Sequence, residues 1–390
     1  MSIGSNEGTA GFARQGNRLP DSVSSRPERA SVRAWPSLTS ATSAGESEKP
    51  LSSGSGGVTT RTVQPGGSIQ VALDEAGPGA TILLTAGEYA GNVWIRHDGV
   101  TLRGERAVLV PGPVVRASIP NLHDAGEGVV SGITAHGVRD LTVTGLTVRG
   151  FSGAGIYAHS VTGLAVRDVT VTGNAVWGVY VRETTGCEVL RCRASGSQYA
   201  GVAVSFCARG EALIEGNETF GNAFGVFVDN SSGVRVLRNT SHGNAIGLML
   251  LNQTYEGEPD GGVRDCLIAG NDVYGNDLAA GGEDPGALGA AGPPISGVGI
   301  ALIGTERVSV VDNHIHDNHP SGESVMGAGF VMGSSQGWGG DDAVANHVLW
   351  NRVTGNTPLD YQLGVDLELQ TFAGNVAAKG EPDEVAGWRP

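Results

Sequence analysis

Two tyrosines, a histidine, an arginine and an aspartate recur at a spacing that would bring them side by side. They are Tyr157 and His159, Tyr180 and Arg182, and, two repeats further on, Phe227 and Asp229. His159 next to Arg182 offers a titrating base beside a fixed cation, the pairing that proton abstraction next to a carboxylate requires, and Tyr180 can return the proton. Asp366 and Glu368 offer either an acid and base pair or oxygens for a divalent cation such as calcium, with Asp360 close in sequence. Tyr157, Phe227 and Met249 suit stacking against a sugar ring or another planar ligand, and Asn252 joins them as a candidate substrate contact. Each residue also has an ordinary use. Single charges on a sheet face are commonly solvated or paired, and carboxylates at the end of a repeat array commonly guard its open edge.

The element that must position them is a short phrase, glycine, apolar, any residue, apolar. It occurs at Gly155, Gly178, Gly201, Gly225, Gly247, Gly299, Gly329 and Gly364, the first five copies being 22 to 24 residues apart. A period near 23 with short strands and no helical pattern predicts one coil of a β-solenoid per repeat. Asparagines five apart ride on the same period at 217/222, 239/244, 271/276, 313/318 and 351/356, as expected of side-chain ladders at stacked corners. Because side chains alternate along a strand, each variable position should point outward, with coils about 4.8 Å apart. That gives one column of Tyr157, Tyr180, Ala203, Phe227, Met249, Ala301, Val331 and Asp366, and a second of His159, Arg182, Ser205, Asp229, Leu251, Ile303, Gly333 and Glu368.

Composition bounds the partners. The chain of 390 residues has a net charge of −15, which disfavours nucleic acid and anionic membranes by repulsion. Lys49 and Lys379 are the only lysines, so a lysine base within the repeats is excluded. Cys187, Cys192, Cys207 and Cys266 fall inside repeats and read as core thiols. His314, His316 and His319 look metal-like, but they lie on an asparagine-ladder coil where outward histidines are common, so no metal is expected there. No cofactor is required elsewhere, a divalent cation at the carboxylate pair aside. An apolar run of signal-peptide length is missing, which places the chain in the cytoplasm, with secretion as the alternative.

In chain order, residues 1–60 have the polar composition of a disordered tail, 61–375 form the repeat domain, and 376–390 read as a C-terminal tail. Ile69, Ala72, Leu73 and Ala76 predict a short helix N-capped by Ser68 or Gly67 that closes the first coil. The run from Gly67-Ser68-Ile69-Gln70 through Pro78-Gly79, Ala86-Gly87-Glu88-Tyr89 and Asp98-Gly99-Val100-Thr101-Leu102-Arg103-Gly104, with the repeats behind it, resembles the right-handed parallel β-helix of the pectin lyase-like superfamily. Within it the likeness is to the repeat proteins that include the NosD proteins and the alginate epimerases. The resemblance implies an all-β, single-stranded parallel β-helix and is compatible with a homotrimer. It does not imply one activity. Asp341-Asp342 lacks the companion motifs of polygalacturonase-type hydrolases, the Asp-Pro-His motif of alginate epimerases is absent, and Trp94-Ile95-Arg96-His97 lacks the aspartate of the pectate lyase signature.

Insertions at 251–262, 277–298, 319–328 and 357–363 all flank the glycine-phrase sheet, which predicts a binding wall on that face. The expectation is a carbohydrate-active enzyme of lyase or epimerase type acting on a glycan or sugar-like molecule. Hydrolase or transferase chemistry at Asp366, Glu368 or Asp229, a non-catalytic carbohydrate- or metal-binding protein, and a cytoplasmic enzyme on a small metabolite are the alternatives.

Overall fold

The structure is a computed structural model and describes residues 59–114, 129–208, 211–254, 258–259, 261–282 and 292–387. Residues 1–58, which hold nearly all of the expected N-terminal tail, lie outside the described residues. From Thr60 onward the chain winds as a parallel β-helix. One ladder is the glycine-phrase sheet, eleven parallel strands among the described residues, from Val93–Ile95 to Gly380–Glu381. Two further ladders are fused at their start by the long strands Thr101–Val110 and Arg139–Arg149. These bend where their register shifts between Arg103 and Ala107, with Arg106 and Gly145 in the left-handed region.

Inward side chains stack coil upon coil. Val143, Val166, Val189, Ile214, Val236, Ile268, Val310 and Val348 form one in-register column, all fully buried, within a single core cluster that runs from Val63 to Val385. The four cysteines are free and buried in this core, as expected of thiols with a packing role. Burial pushes Cys192 and Cys207 up to about 11 and Cys266 up to about 12, so they stay protonated and inert.

The asparagine pairs form two continuous ladders. In the first, each amide nitrogen donates to the next side-chain oxygen along Asn217, Asn239, Asn271, Asn313, Asn351 and Asn375, at 2.8 to 3.1 Å. In the second, Asn222, Asn244, Asn276, Asn318 and Asn356 do the same, and Asp360 takes the last place, accepting from Asn356 at 3.1 Å. Each oxygen also accepts the backbone N–H of the asparagine one coil earlier, for example Asn239 N to Asn271 Oδ1 at 2.9 Å. The phrase glycines stand beside this ladder at a corner with no room for a Cβ. One added at Gly247 would meet Gly299 O at 2.7 Å and Asn276 Nδ2 at 2.9 Å. Glycine is required there by close approach.

The first coil is closed as the sequence predicts. Ser68 caps helix Ile69–Ala76, its hydroxyl accepting from Val71 N at 3.2 Å. Gln70 then imitates a neighbouring strand: its oxygen accepts from Trp94 N at 2.8 Å and its nitrogen donates to Trp94 O at 3.0 Å, so the edge of the glycine-phrase sheet is satisfied.

The last coils depart from expectation. Gly364 does not open a strand; the strand there is Leu359–Leu363, with Tyr361 in register with Phe330 and Asp360 in the place of the phrase glycine. A Cβ on Gly364 would approach nothing closer than Met332 O at 3.9 Å, so the packing demand that fixes the other phrase glycines is absent. Segment 357–363 is therefore largely strand, not insertion. Residues 376–387 are part of the helix body and not a tail, since Gly380–Glu381 pairs with Tyr361–Gln362 and Val385 is buried against the end of the core.

Replacing Asn271 by alanine leaves the buried Asn239 N–H and one of the two Asn239 side-chain N–H groups without their acceptor and takes a side-chain donor from the Val236 carbonyl. Chemical denaturation should show a loss of roughly 1–3 kcal/mol or more in unfolding free energy, and a loss below 0.5 kcal/mol would mean the ladder is not a structural element.

Candidate functional site

The outward columns exist and their register is the one the repeat implies. Tyr157, Tyr180, Ala203, Phe227, Met249, Ala301 and Val331 follow one another across seven strands, and His159, Arg182, Ser205, Asp229, Leu251, Ile303 and Gly333 do so beside them. His159, Arg182 and Asp229 are thus brought together, with Tyr180 alongside. Asp366 and Glu368 are not in either column. Val331 is followed by Gln362, and Asp366 instead caps a short 3-10 helix, its carboxylate accepting from Glu368 N at 3.0 Å. Both are exposed, away from the other site residues in the register, because the strand ends at Leu363.

The face is also covered, which the alternation of side chains alone could not reveal. Tyr157 is 1% exposed, Arg182 and Asp229 4%. Tyr157 stacks on Tyr180 with centroids 5.4 Å apart, and Trp177 covers Tyr180 at 4.3 Å, in a cluster separate from the coil interior. Phe227, half-buried, packs on Phe224 at 5.2 Å. Met249, Ala301 and Val331 are roofed by Ile295 and Met326 from two of the insertions. The apolar strip is therefore a second small core rather than an open stacking surface.

Charge is concentrated where the two columns begin. Arg182 lies between two carboxylates: its Nε donates to Glu183 Oε1 at 3.0 Å and its Nη atoms form a two-pronged pair with Glu258, itself nearly buried. Its guanidinium also sits over the Phe206 ring at 4.8 Å. Burial works against the Arg182 charge, but the Glu258 pair holds it firmly protonated. Tyr180 is pushed up to about 12 by burial, although Arg182 opposes the shift. Burial raises Tyr157 further.

His159 has its Nε2 3.3 Å from Glu183 Oε1 and its ring 4.9 Å from that of His136. Burial depresses its basicity; Glu183 pulls the other way, while His136 and Arg182 add to the depression. Two buried polar atoms here have no hydrogen-bond partner among the described residues, His159 Nδ1 and the Tyr157 hydroxyl, whose rings are 6.1 Å apart. A neutral imidazole anchored through Nε2 leaves Nδ1 as a bare acceptor beside a phenol and a cation, a set that can move a proton.

Sequence reasoning missed His136, Glu183 and Glu258. His136 had a readable signal, since Gly132-Ile133-Thr134-Ala135 is one more copy of the phrase and pairs in register with the next coil. Glu183 turns the corner after Arg182 in the left-handed region, and Glu258 arrives from an insertion; neither follows from the repeat.

An open cleft of about 440 Å³ lies at the later coils, next to Asn252. Arg264, Glu306, Gln336, Asp341 and Asp342 line it. Asn252 donates to Asp341 Oδ2 at 3.2 Å and Gln336 to Asp342 Oδ2 at 2.9 Å, while Trp338, from the same short 3-10 helix as Gln336, is exposed. Asn252 thus belongs to this cleft, and the Asp341-Asp342 pair gains companions that its sequence context did not show.

Fold and site together define a parallel β-helix protein with a covered ionic centre on one sheet and an acidic cleft beside it. The model of the right-handed β-helix region matches residues 131–356, more than half of the chain, and the chain belongs to that family. No curated protein matches the sequence. Among solved structures it is similar to the A-modules of two mannuronan C-5 epimerases of Azotobacter vinelandii. The AlgE4 module is 18% identical, with 79% of this chain and 89% of that one covered and a TM-score of 0.55. The AlgE6 module is 17% identical, with 79% and 88% covered and a TM-score of 0.57. It is also similar to PfbA, a surface adhesin of Streptococcus pneumoniae, at 12% identity, 76% and 78% coverage and a TM-score of 0.52.

The His159 environment makes a titration prediction. Its midpoint by NMR should fall below the ordinary imidazole value of about 6.5. Because the unfolded imidazole takes its proton first, the folded chain loses stability as pH falls from that value through the folded midpoint, and His159→Gln should lessen the loss. A midpoint above 6.5 would contradict the neutral form.

Proposed function

We propose that this chain is a carbohydrate-active enzyme that moves a proton on a uronate-type sugar, as a lyase or an epimerase, at the centre formed by His159, Tyr157, Tyr180 and Arg182. The observation that carries this reading is the buried acceptor and hydroxyl, His159 Nδ1 and Tyr157 Oη, which find no partner among the described residues, beside an arginine on the same sheet face. Unsatisfied buried polar atoms are costly, and where they are titratable groups clustered beside a charge a catalytic role is one of the explanations for keeping them. In this reading His159 is the base and Tyr157, whose hydroxyl is free where that of Tyr180 is engaged by Ser205 and Arg182, returns the proton. A substrate carboxylate replaces Glu258 on Arg182, which polarises it for loss of the neighbouring proton. The likeness to two epimerase modules supports the substrate class.

Incubation with a panel of uronate polymers tests this, read by absorbance of an unsaturated product and by solvent deuterium incorporation. His159→Ala should lower turnover at least 100-fold. Glu258→Gln should lower KM with kcat nearly unchanged, since it removes the competing carboxylate. Silence across the panel on both readouts rejects proton transfer.

A second reading is favoured by the acidic cleft, where Asp341, Asp342 and Glu306, with exposed Trp338 on the short helix that also carries the lining residue Gln336, offer a place for a neutral glycan, for hydrolysis or for binding alone, as the adhesin likeness allows. Asp341→Asn with Asp342→Asn should abolish binding in that case and leave uronate chemistry intact in the first.

A further inference from the structure

The asparagine-ladder coils carry a second constellation, on a ladder other than the glycine-phrase sheet. Strands Asp272–Tyr274 and His314–His316 pair in parallel with Asp272 opposite His314 and Tyr274 opposite His316. Asp272 Oδ1 lies 3.2 Å from His314 Nδ1 and 3.3 Å from His316 Nε2, and one ligand atom from each of the three residues lies within 4.8 Å of the others. An ion with bonds of about 2.0–2.2 Å to nitrogen and oxygen sets its ligands roughly 3.0–3.5 Å apart, so two of the three separations match.

The orientation of His316 is the second observation. Its Nδ1 is held by Asp317 Oδ2 at 2.8 Å, and its ring lies between Tyr274, with centroids 5.2 Å apart, and His314, at 4.0 Å. In the neutral ring with Nδ1 donating to Asp317, Nε2 is an acceptor directed at the Asp272 oxygen. Either a proton on Nε2 or a metal cation reconciles the two atoms at 3.3 Å, and a carboxylate behind the distal ring nitrogen is the usual support of a metal-binding histidine. Phe220, His242, Tyr274 and His316 form one continuous stack, which fixes the ring planes in advance. Arg352, next in the column after His314, adds one positive charge that Asp272 and Asp317 outweigh.

We infer that Asp272, His314 and His316 bind one divalent transition ion, with zinc the best match to two imidazoles and a carboxylate, and that this ion clips two successive coils together. Calcium and magnesium are unsuited, since they select oxygen ligands. Three protein ligands leave a coordination position for water. The site is independent of His159 and of any sugar chemistry.

Titration of the metal-free full chain with zinc chloride, followed by calorimetry and by thermal unfolding, tests the site. The wild-type chain should take up one ion and unfold at a higher temperature with it. Asp272→Asn and His316→Ala should lose both effects. Asp317→Asn should bind roughly 10- to 100-fold more weakly. His319→Ala should bind like wild type, since His319 Nδ1 is engaged by Thr357 Oγ1 at 2.7 Å. Unfolding without zinc checks that each variant is folded. No uptake by the wild-type chain, or equal uptake by folded Asp272→Asn and His316→Ala, overturns the site.

Discussion

Everything in this molecule depends on one coil sitting on the next at a fixed register, and the interaction that enforces it is the buried amide chain through Asn217, Asn239, Asn271, Asn313, Asn351 and Asn375. Each amide bonds forward to the next asparagine and sideways to backbone, so a slip of one residue would leave a row of buried donors and acceptors unsatisfied. The phrase glycines fix the same register sterically from the other side, because no Cβ fits between Gly247 and the carbonyl of Gly299. Register in turn decides which side chains become neighbours on the outer faces.

Outer faces pay no such debt to the repeat, and they diverge along the chain. Early coils place His136, His159 and Arg182 in a row, middle coils place apolar residues under the insertions, and the ladder coils stack Phe220, His242, Tyr274 and His316. A single scaffold therefore presents three chemically distinct strips. The insertions differ in role too. Those contributing Ile295 and Met326 fill an apolar strip, whereas the one carrying Glu258 neutralises an arginine.

Much of the fold was legible because it repeats. The glycine phrase, the asparagine pairs and the capping helix follow from period, turn chemistry and N-cap preference. The columns were legible too, since alternation along a strand is a local property: His159 and Arg182 are register partners as the phrase implies. Legibility failed where locality fails. Gly364 resembles a phrase glycine, but the corner it would occupy is taken by Asp360, so Asp366 and Glu368 fall outside the sheet. Tyr157 and Met249 face outward and yet are buried, because what covers them comes from turns and insertions with no periodicity. Glu258, the two-pronged partner of Arg182, is 76 residues away in a segment whose path no pattern specifies.

In the proposed reaction Arg182 anchors a substrate carboxylate, and the sugar completes His159 Nδ1 and the Tyr157 hydroxyl. A crystal structure of the protein with a bound oligouronate addresses this directly. The expected result is a sugar carboxylate within about 3 Å of the Arg182 guanidinium, with Glu258 displaced and a ring carbon facing His159. A glycan lodged instead among Asp341, Asp342 and Trp338, with the Arg182–Glu258 pair intact, would contradict it.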